Sequence, residues 1–445
     1  MESFAVGTGA SIFTQHLVPA ILAAEHEVIL VTCYWARSKM LTALCDALEQ
    51  LAAQRHADVS SHVLRLRICF SSRSLFQKLF HTPSRDGYLY PPATWTTKLG
   101  LPSSDTLAAA KIELTVKSLF FLPFSVMHPK FLLVDRRHAF LPSCNISWEP
   151  WLEGCLQLSR RDPCDDPIDG LLAFYKGTWE PSLDVDAPLP PVMKHGSNQY
   201  RRTAIVRSPA DTYVNLLDTV MPAAAVEWLP SWHHRNPRFC VLFWQTPKAP
   251  LTPLNSALLR LFENATKQVY LQTPNLTSPP VISAILQALS RGVDVCIVTN
   301  RKMMVWEQIL TAGTTGDRCV RRLIKDYVQL CGKANGAQDP STQNGARPET
   351  DLESQVQNPG RLKVLYFRPS HAAAVDEEPV HSHLKLSVFD GEHTVLGSGN
   401  MDRASWFTSQ ELGILVHGAA FAQAIKEAVD GALTDRLDLF FDSHS

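Results

Sequence analysis

A chain of 445 residues with a formal charge of −1 has no global basic field, which disfavours a long nucleic-acid duplex as its partner. With 45% hydrophobic and 19% charged residues it has an ordinary globular composition, too long for one core and suited to two domains or two lobes. The ten cysteines form no C-x-x-C pair; Cys33, Cys69, Cys144, Cys155, Cys240 and Cys296 lie in or beside apolar runs and read as reduced, buried thiols.

In chain order, the N-terminus shows no basic stretch ahead of an apolar one, and no apolar run reaches the roughly 18 residues of a membrane-spanning helix. The expectation is an intracellular protein without signal peptide or transmembrane helix, soluble or peripheral on a membrane. Ile12, Phe13, Leu17, Ile21 and Leu22 recur at helical spacing between Ala10 and Ala24, with Pro19 placed to kink the pattern. Val28 to Thr32 is a buried strand, Met40 to Gln54 a helix striped by Leu41, Leu44, Leu48 and Leu51, and Leu64 to Phe70 a second strand. That order implies parallel pairing through a helical crossover. Phe70 to Lys111 is a loop-rich insertion holding Tyr88, Tyr90 and Trp95.

Pro181, Pro188, Pro190 and Pro191 mark an extended connector, so the boundaries expected are a first lobe at 1–185, a connector at 186–201 and a second lobe at 202–445. Met221 to Lys248 carries Trp228, Trp232, His233, His234 and Trp244; it either faces substrate or a membrane, or packs between the lobes. The histidine pair lacks a zinc-ligand pattern around it. Then the opening order returns: helix Leu254 to Ala265, strand Val269 to Thr273, helix Val281 to Arg291 ended by Gly292, and strand Val293 to Val298. Gly332 to Gly360 is poor in large apolar residues and reads as a disordered surface insertion. Leu362 to Phe367 is a strand, and 421–430 a final helix.

The chemistry is concentrated in a pattern that occurs twice. His128, Lys130, Asp135, Ser143 and Asn145 recur as His383, Lys385, Asp390, Ser398 and Asn400, each pair 255 positions apart (383 − 128, 385 − 130, 390 − 135, 398 − 143, 400 − 145). Histidine and lysine two apart share one face of a strand, while Leu384, Leu386 and Val388 turn inward. Each copy thus offers an imidazole, an ammonium, a hydroxyl and an amide. An imidazole can attack phosphorus or move protons near neutral pH, and lysine and asparagine can hold an anion. Two histidines suit a two-step displacement, one attacking and one protonating the leaving alcohol. Two lysines and two asparagines around one phosphate need no metal or other cofactor.

The doubled pattern resembles the phospholipase D superfamily, whose members carry two His-x-Lys-x4-Asp motifs. The resemblance implies an α/β fold of two similar lobes, each a mixed sheet flanked by helices, related by a pseudo-twofold axis and sharing one active site. By matching positions, His128 and His383 are nucleophile and general acid/base, and Lys130, Lys385, Asn145 and Asn400 hold the phosphate beside Ser143 and Ser398. Asp135 and Asp390 orient the histidines. A supporting carboxylate follows each asparagine: Glu411 fits well, while Glu153 falls eight residues past its asparagine rather than eleven (153 − 145 against 411 − 400). Gly397 to Trp406 is most similar to cardiolipin synthases and related phosphatidyltransferases. One departure is Pro142, where the family usually has glycine; it either reshapes the turn or removes an N–H from the phosphate site. The expected activity is a phospholipase D or phosphatidyltransferase acting on phospholipid through a phosphohistidine. The alternatives are a nuclease and a catalytically dead phosphate-binding protein.

Overall fold

Two open mixed sheets carry the chain, and seven strands of one recur in the same order and direction in the other. This computed structural model describes all residues except 1, 58–61, 82–85, 123–124, 148–149, 161–165, 188–216, 221, 223, 233–247, 338–357, 371–377 and 445. The first sheet is built from β1 (Ser3–Thr8), β2 (Glu27–Tyr34), β3 (Leu64–Ser72), β4 (Ile112–Ser118), β5 (Phe131–Val134), β6 (His138–Pro142) and β7 (Trp151–Ser159). The second uses β8 (Ala225–Trp232), β9 (Gln268–Gln272), β10 (Asp294–Thr299), β11 (Leu362–Phe367), β12 (Leu386–Phe389), β13 (His393–Gly397) and β14 (Gln410–His417), with β15 (Leu437–Asp442) on its edge. Spatial order runs β1-β7-β6-β5-β2-β3-β4 in one and β8-β14-β13-β12-β9-β10-β11-β15 in the other. β2, β3 and β4 pair in parallel, as do β9, β10 and β11, and the remaining neighbours are antiparallel.

Helices follow from local sequence. In α1 (Lys39–Ala57) Leu41, Leu44, Leu48 and Leu51 are all buried against β2 and β3. α2 (Leu75–Phe80) follows β3, and α3 (Pro167–Thr178) follows β7 with Asp166 capping its start. In the second lobe α4 (Pro253–Asn264) begins at Thr252, whose Oγ1 accepts from Asn255 N at 3.3 Å, and Pro253 takes the first helical position where no donor is needed. α5 (Pro279–Ser290) stops at Gly292, which sits at φ 85. α6 (Val305–Ala312), α7 (Gly316–Ala337), α8 (Arg403–Phe407) and α9 (Ala419–Leu433) complete the set.

One apolar cluster belongs to both lobes: Phe4, Phe131, Leu152 and Leu156 pack in it with Leu384, Leu396, Leu412 and Ile414, flanked by α3 and α9. Burying each such side chain stabilises by about 1.5–3 kcal/mol, so the lobes form one body. Trp228 Nε1 donates to Pro167 O at 2.7 Å and Trp232 lies 5.2 Å from the Phe174 ring, so these two tryptophans pack β8 against α3 rather than facing outward.

Several expectations are corrected. The 70–111 segment is not loop-rich: it holds α2, short helical turns and a helix at Ser104–Ala109, and Tyr90 and Trp95 are core residues. Pro19 does not break the N-terminal helix, because a π-type turn at Phe13–Leu17 absorbs its missing donor. The insertion expected from Gly332 begins later, since α7 runs to Ala337; its 338–357 portion lies outside the described residues, as do 188–201 of the connector, His233, His234 and Trp244. Leu217–Val220, sequentially beyond the connector, pairs with β1 of the first sheet. β15, beyond the expected final helix, pairs antiparallel with β11.

Candidate active site

The two motif segments cross from one lobe to the other. Met127 bridges Gln410 of β14, and the His128 amide donates to Gln410 O at 3.0 Å. In the mirror arrangement Ser382 bridges Leu152 of β7, and the His383 amide donates to Leu152 O at 2.8 Å. Each segment then enters its own sheet as β5 or β12. His128–Lys130 and His383–Lys385 therefore lie between two ladders, not within a strand as expected. Side chains at the ends of β3 and β10 hold the crossing: Met127 N donates to Ser71 Oγ at 2.8 Å and Ser382 N to Asn300 Oδ1 at 2.9 Å.

The crossing pairs each histidine with a carboxylate of the opposite lobe. His128 Nδ1 lies 2.9 Å from Glu411 Oε2, and His383 Nδ1 lies 2.9 Å from Glu153 Oε1. Each carboxylate is set by the serine of its own motif. Ser143 Oγ donates to Glu153 and accepts from Gly154 N at 2.9 Å; Ser398 Oγ donates to Glu411 and accepts from Leu412 N at 3.0 Å. The missing three residues before Glu153 thus leave it equivalent to Glu411.

Burial lowers His383 to about 3 against the pull of Glu153, and lowers His128 against Glu411. Burial works to raise Glu153 and Glu411, but His383 and His128 respectively, aided by hydrogen bonds from the serines, hold both below the usual carboxylate range. These directions describe one state: a neutral imidazole donating Nδ1–H to an ionised carboxylate, which commits the other lone pair, on Nε2, to chemistry.

Lys130 and Lys385 are both buried, and each Nζ reaches back to the carbonyl of its own histidine, at 2.9 Å to His128 O and 2.6 Å to His383 O. Burial and then the neighbouring charge of Lys130 push Lys385 down to about 7. A cavity between the lobes is lined by corresponding residues of each, Lys130 with Lys385, Ser143 with Ser398 and Leu141 with Leu396. Asn145 Oδ1 accepts from Tyr34 N at 3.2 Å. Asn400 Nδ2 donates to Asp402 at 3.0 Å, and its buried Oδ1 has no hydrogen-bond partner among the described residues.

Asp135 and Asp390 do not orient the histidines. Asp135 accepts from the amides of Glu25, His26 and Glu27, and Asp390 from those of Thr266, Lys267 and Gln268. Both sit at positive φ, 49 and 54, in the turn after the motif strand. Three amide donors hold each carboxylate, joined at Asp390 by the Thr266 hydroxyl, and clamp that turn to the start of β2 or β9. Pro142 ends β6 opposite Cys155, whereas Gly397 has φ 143 and a Cβ there would lie 2.3 Å from Leu412 O. The two strands end differently, yet Ser143 N and Ser398 N make the same bond, to Gly154 O at 2.8 Å and Leu412 O at 3.0 Å. The proline reshapes the turn and leaves the serine in place.

Residues that pattern reading missed break the symmetry. Trp151 lies against the His383 ring, centroids 4.8 Å apart and planes tilted by 47°, where the second copy has Ser409 at the matching position; the signal was its place two before Glu153. Asp402, buried and raised by that burial, stands where the first copy has Ser147. His381, half-buried, pairs with Trp151 across β7.

Two crossed histidine–carboxylate pairs join twin α/β lobes into one composite site. Residues 258–432 match the family described as cardiolipin synthase, phospholipase D-like domain. No curated protein sequence matches the chain. Among solved structures it is similar to phosphatidylserine synthase of Haemophilus influenzae Rd KW20, at 13% identity and TM-score 0.53 over 99% of this chain and 89% of that one. A looser likeness, at 14% identity and TM-score 0.28, joins 49% of this chain to 99% of Nuc, a phospholipase D family member from Salmonella typhimurium. Residues 258–432 thus carry a phospholipase D-like domain. Among the described residues, no helix is long and apolar enough to cross a membrane.

Proposed function

We propose that this protein cleaves or exchanges the phosphodiester of a phospholipid, as a phospholipase D or phosphatidyltransferase working through a phosphohistidine. The observation that carries the reading is the crossed pairing, His128 with Glu411 and His383 with Glu153, which makes each half-site depend on the other lobe. His128 is the nucleophile in this reading: its side chain is 13% exposed, against 4% for His383 beneath Trp151. Its Nε2 bonds to phosphorus as the bond to the leaving alcohol breaks, and His383 Nε2–H gives that alcohol its proton. Burial keeps both imidazoles neutral. An arriving phosphodiester anion favours the charged form of a histidine, and His383 takes from solvent the Nε2 proton that this step needs. In the second half His383 takes a proton from water or an alcohol, the new oxygen bonds to phosphorus, and the bond to His128 breaks. Lys130, Lys385, Asn145 and Asn400 stabilise the charge that develops on the phosphate oxygens.

Apolar residues around the site support lipid over nucleic acid. Labelled phosphatidylglycerol or phosphatidylcholine incubated with the protein and an alcohol should yield head-group exchange, while single-stranded DNA in a parallel tube stays intact. Cleavage of the DNA without lipid turnover would replace this reading with the nuclease.

A further inference from the structure

The mirror symmetry of the lobes extends to two short helices that no part of the chemistry uses. α2 follows β3 just after Ser71, and α6 follows β10 a few residues after Asn300; these are the two residues that hold the amides of Met127 and Ser382, one position before each histidine. Each helix is anchored by a buried glutamine. Gln77 Nε2 donates to Ser71 O at 3.1 Å, and Gln308 Nε2 donates to Asn275 Oδ1 at 2.6 Å. The faces turned away from these anchors are apolar and bare. Phe76 and Phe80 are 61% and 62% exposed, and Trp306 and Leu310 are 80% and 67% exposed. Leu75, Leu79 and Ile309 are exposed beside them.

Soluble proteins rarely leave so much aromatic and aliphatic surface in water without a use for it. Charge says what the use is. α2 has no acidic residue and α6 a single one, Glu307; Lys78 lies within α2, Arg73 and Lys302 lie just ahead of α2 and α6 in the chain, and Arg73 donates to Lys98 O. Apolar side chains rimmed by cations at the lip of a phosphate site fit one surface, the interface of an anionic phospholipid bilayer. We propose that α2 and α6 form a two-pronged docking surface that sinks Phe76, Phe80, Trp306 and Leu310 into such a bilayer and sets the histidine pair over the lipid phosphates. The proposal rests on the phospholipid reading above, and the surface binds without spanning.

The full-length protein is mixed with vesicles of phosphatidylglycerol and phosphatidylcholine, or of phosphatidylcholine alone, and floated on a density gradient. A soluble diester, bis(p-nitrophenyl) phosphate, reports the site separately. The wild type should float with the anionic vesicles, more weakly with neutral ones, and Phe76→Asp/Trp306→Asp should lose at least tenfold of that binding while hydrolysing the soluble diester at the wild-type rate. The milder Phe76→Ser/Leu310→Ser keeps the test alive should the aspartate variant fail to fold. A wild type that does not float, or variants that float as well as it does, overturns the proposal. So does a wild-type dimer that the variants turn into monomers, since a second copy would then cover the faces. Vesicle binding without hydrolysis of the soluble diester would leave the docking surface standing and remove the catalytic reading.

Discussion

The two copies of the motif agree in their polar frame and differ where a histidine meets its surroundings. His, Lys, Ser and Asn recur in register, each serine sets its own carboxylate, and each carboxylate crosses to the other lobe's histidine. Around that frame, Trp151 covers His383 where Ser409 leaves His128 more open, and Asp402 replaces Ser147 beside the second asparagine. Duplication supplies two equal imidazoles, but a two-step displacement needs unequal ones. Divergence has fallen on the residues around the histidines and left the repeated polar frame alike.

The hardest break of this comparison is to remove one half. His128→Ala and His383→Ala should each reduce turnover of a phosphodiester by at least ~10³-fold, about 4 kcal/mol of transition-state stabilisation. Full activity in either would mean that the halves work alone. Next come the aspartates. Asp135→Asn should destabilise the fold by about 1–3 kcal/mol, since it weakens a buried acceptor of three amides, while the folded fraction keeps its kcat. Asp390→Asn, half-exposed, should cost less. Urea unfolding of both beside steady-state kinetics checks this, and a kcat collapse with unchanged stability would restore them to the chemistry.

A subtler difference is read with pH. Lys385 stands at about 7 in the fold against an ordinary value of 10.5, so the unfolded chain holds the extra proton between these values. Stability from this group therefore rises with pH across that window and is lowest below 7. Lys385→Met should raise Tm at pH 6.5 and leave it nearly unchanged above pH 10.5. Sulfate, whose charge is constant here, should bind the wild type more weakly as pH rises through the neutral range. A flat profile would place the charge elsewhere. The smallest expected effect is at Trp151. Trp151→Ala admits water to His383 and raises the pH at which this general acid loses its proton, so the alkaline limb of the kcat/KM profile should move upward and kcat fall about tenfold, a change of ~1.4 kcal/mol. Ser409→Ala should do neither.

Much of this was legible before any coordinates. The 255-residue offset pointed to twin lobes, and the strand–helix–strand openings at Val28–Phe70 and Val269–Val298 lie in parallel pairs as read. What stayed hidden shares one cause: it depends on which segment meets which across the chain. Nothing local says that Glu153 serves His383 and Glu411 serves His128. Nothing local says that Asp135 spends its oxygens on amides 108 to 110 residues away. The aromatic residues show the same limit. Tyr90 and Trp95 were read in a loop-rich insertion and are core, while Phe76 and Phe80 of the same stretch are the exposed ones.

The central claim is that both imidazoles address one phosphorus. A crystal structure of the protein with vanadate, which takes the five-coordinate geometry of phosphorus in flight, tests it most directly. The account expects one vanadium bonded to Nε2 of His128, with an apical oxygen in hydrogen-bond reach of Nε2 of His383 and with Lys130 and Lys385 on the equatorial oxygens. Two separate vanadates, one per histidine, or a single one that touches only one lobe, would contradict it.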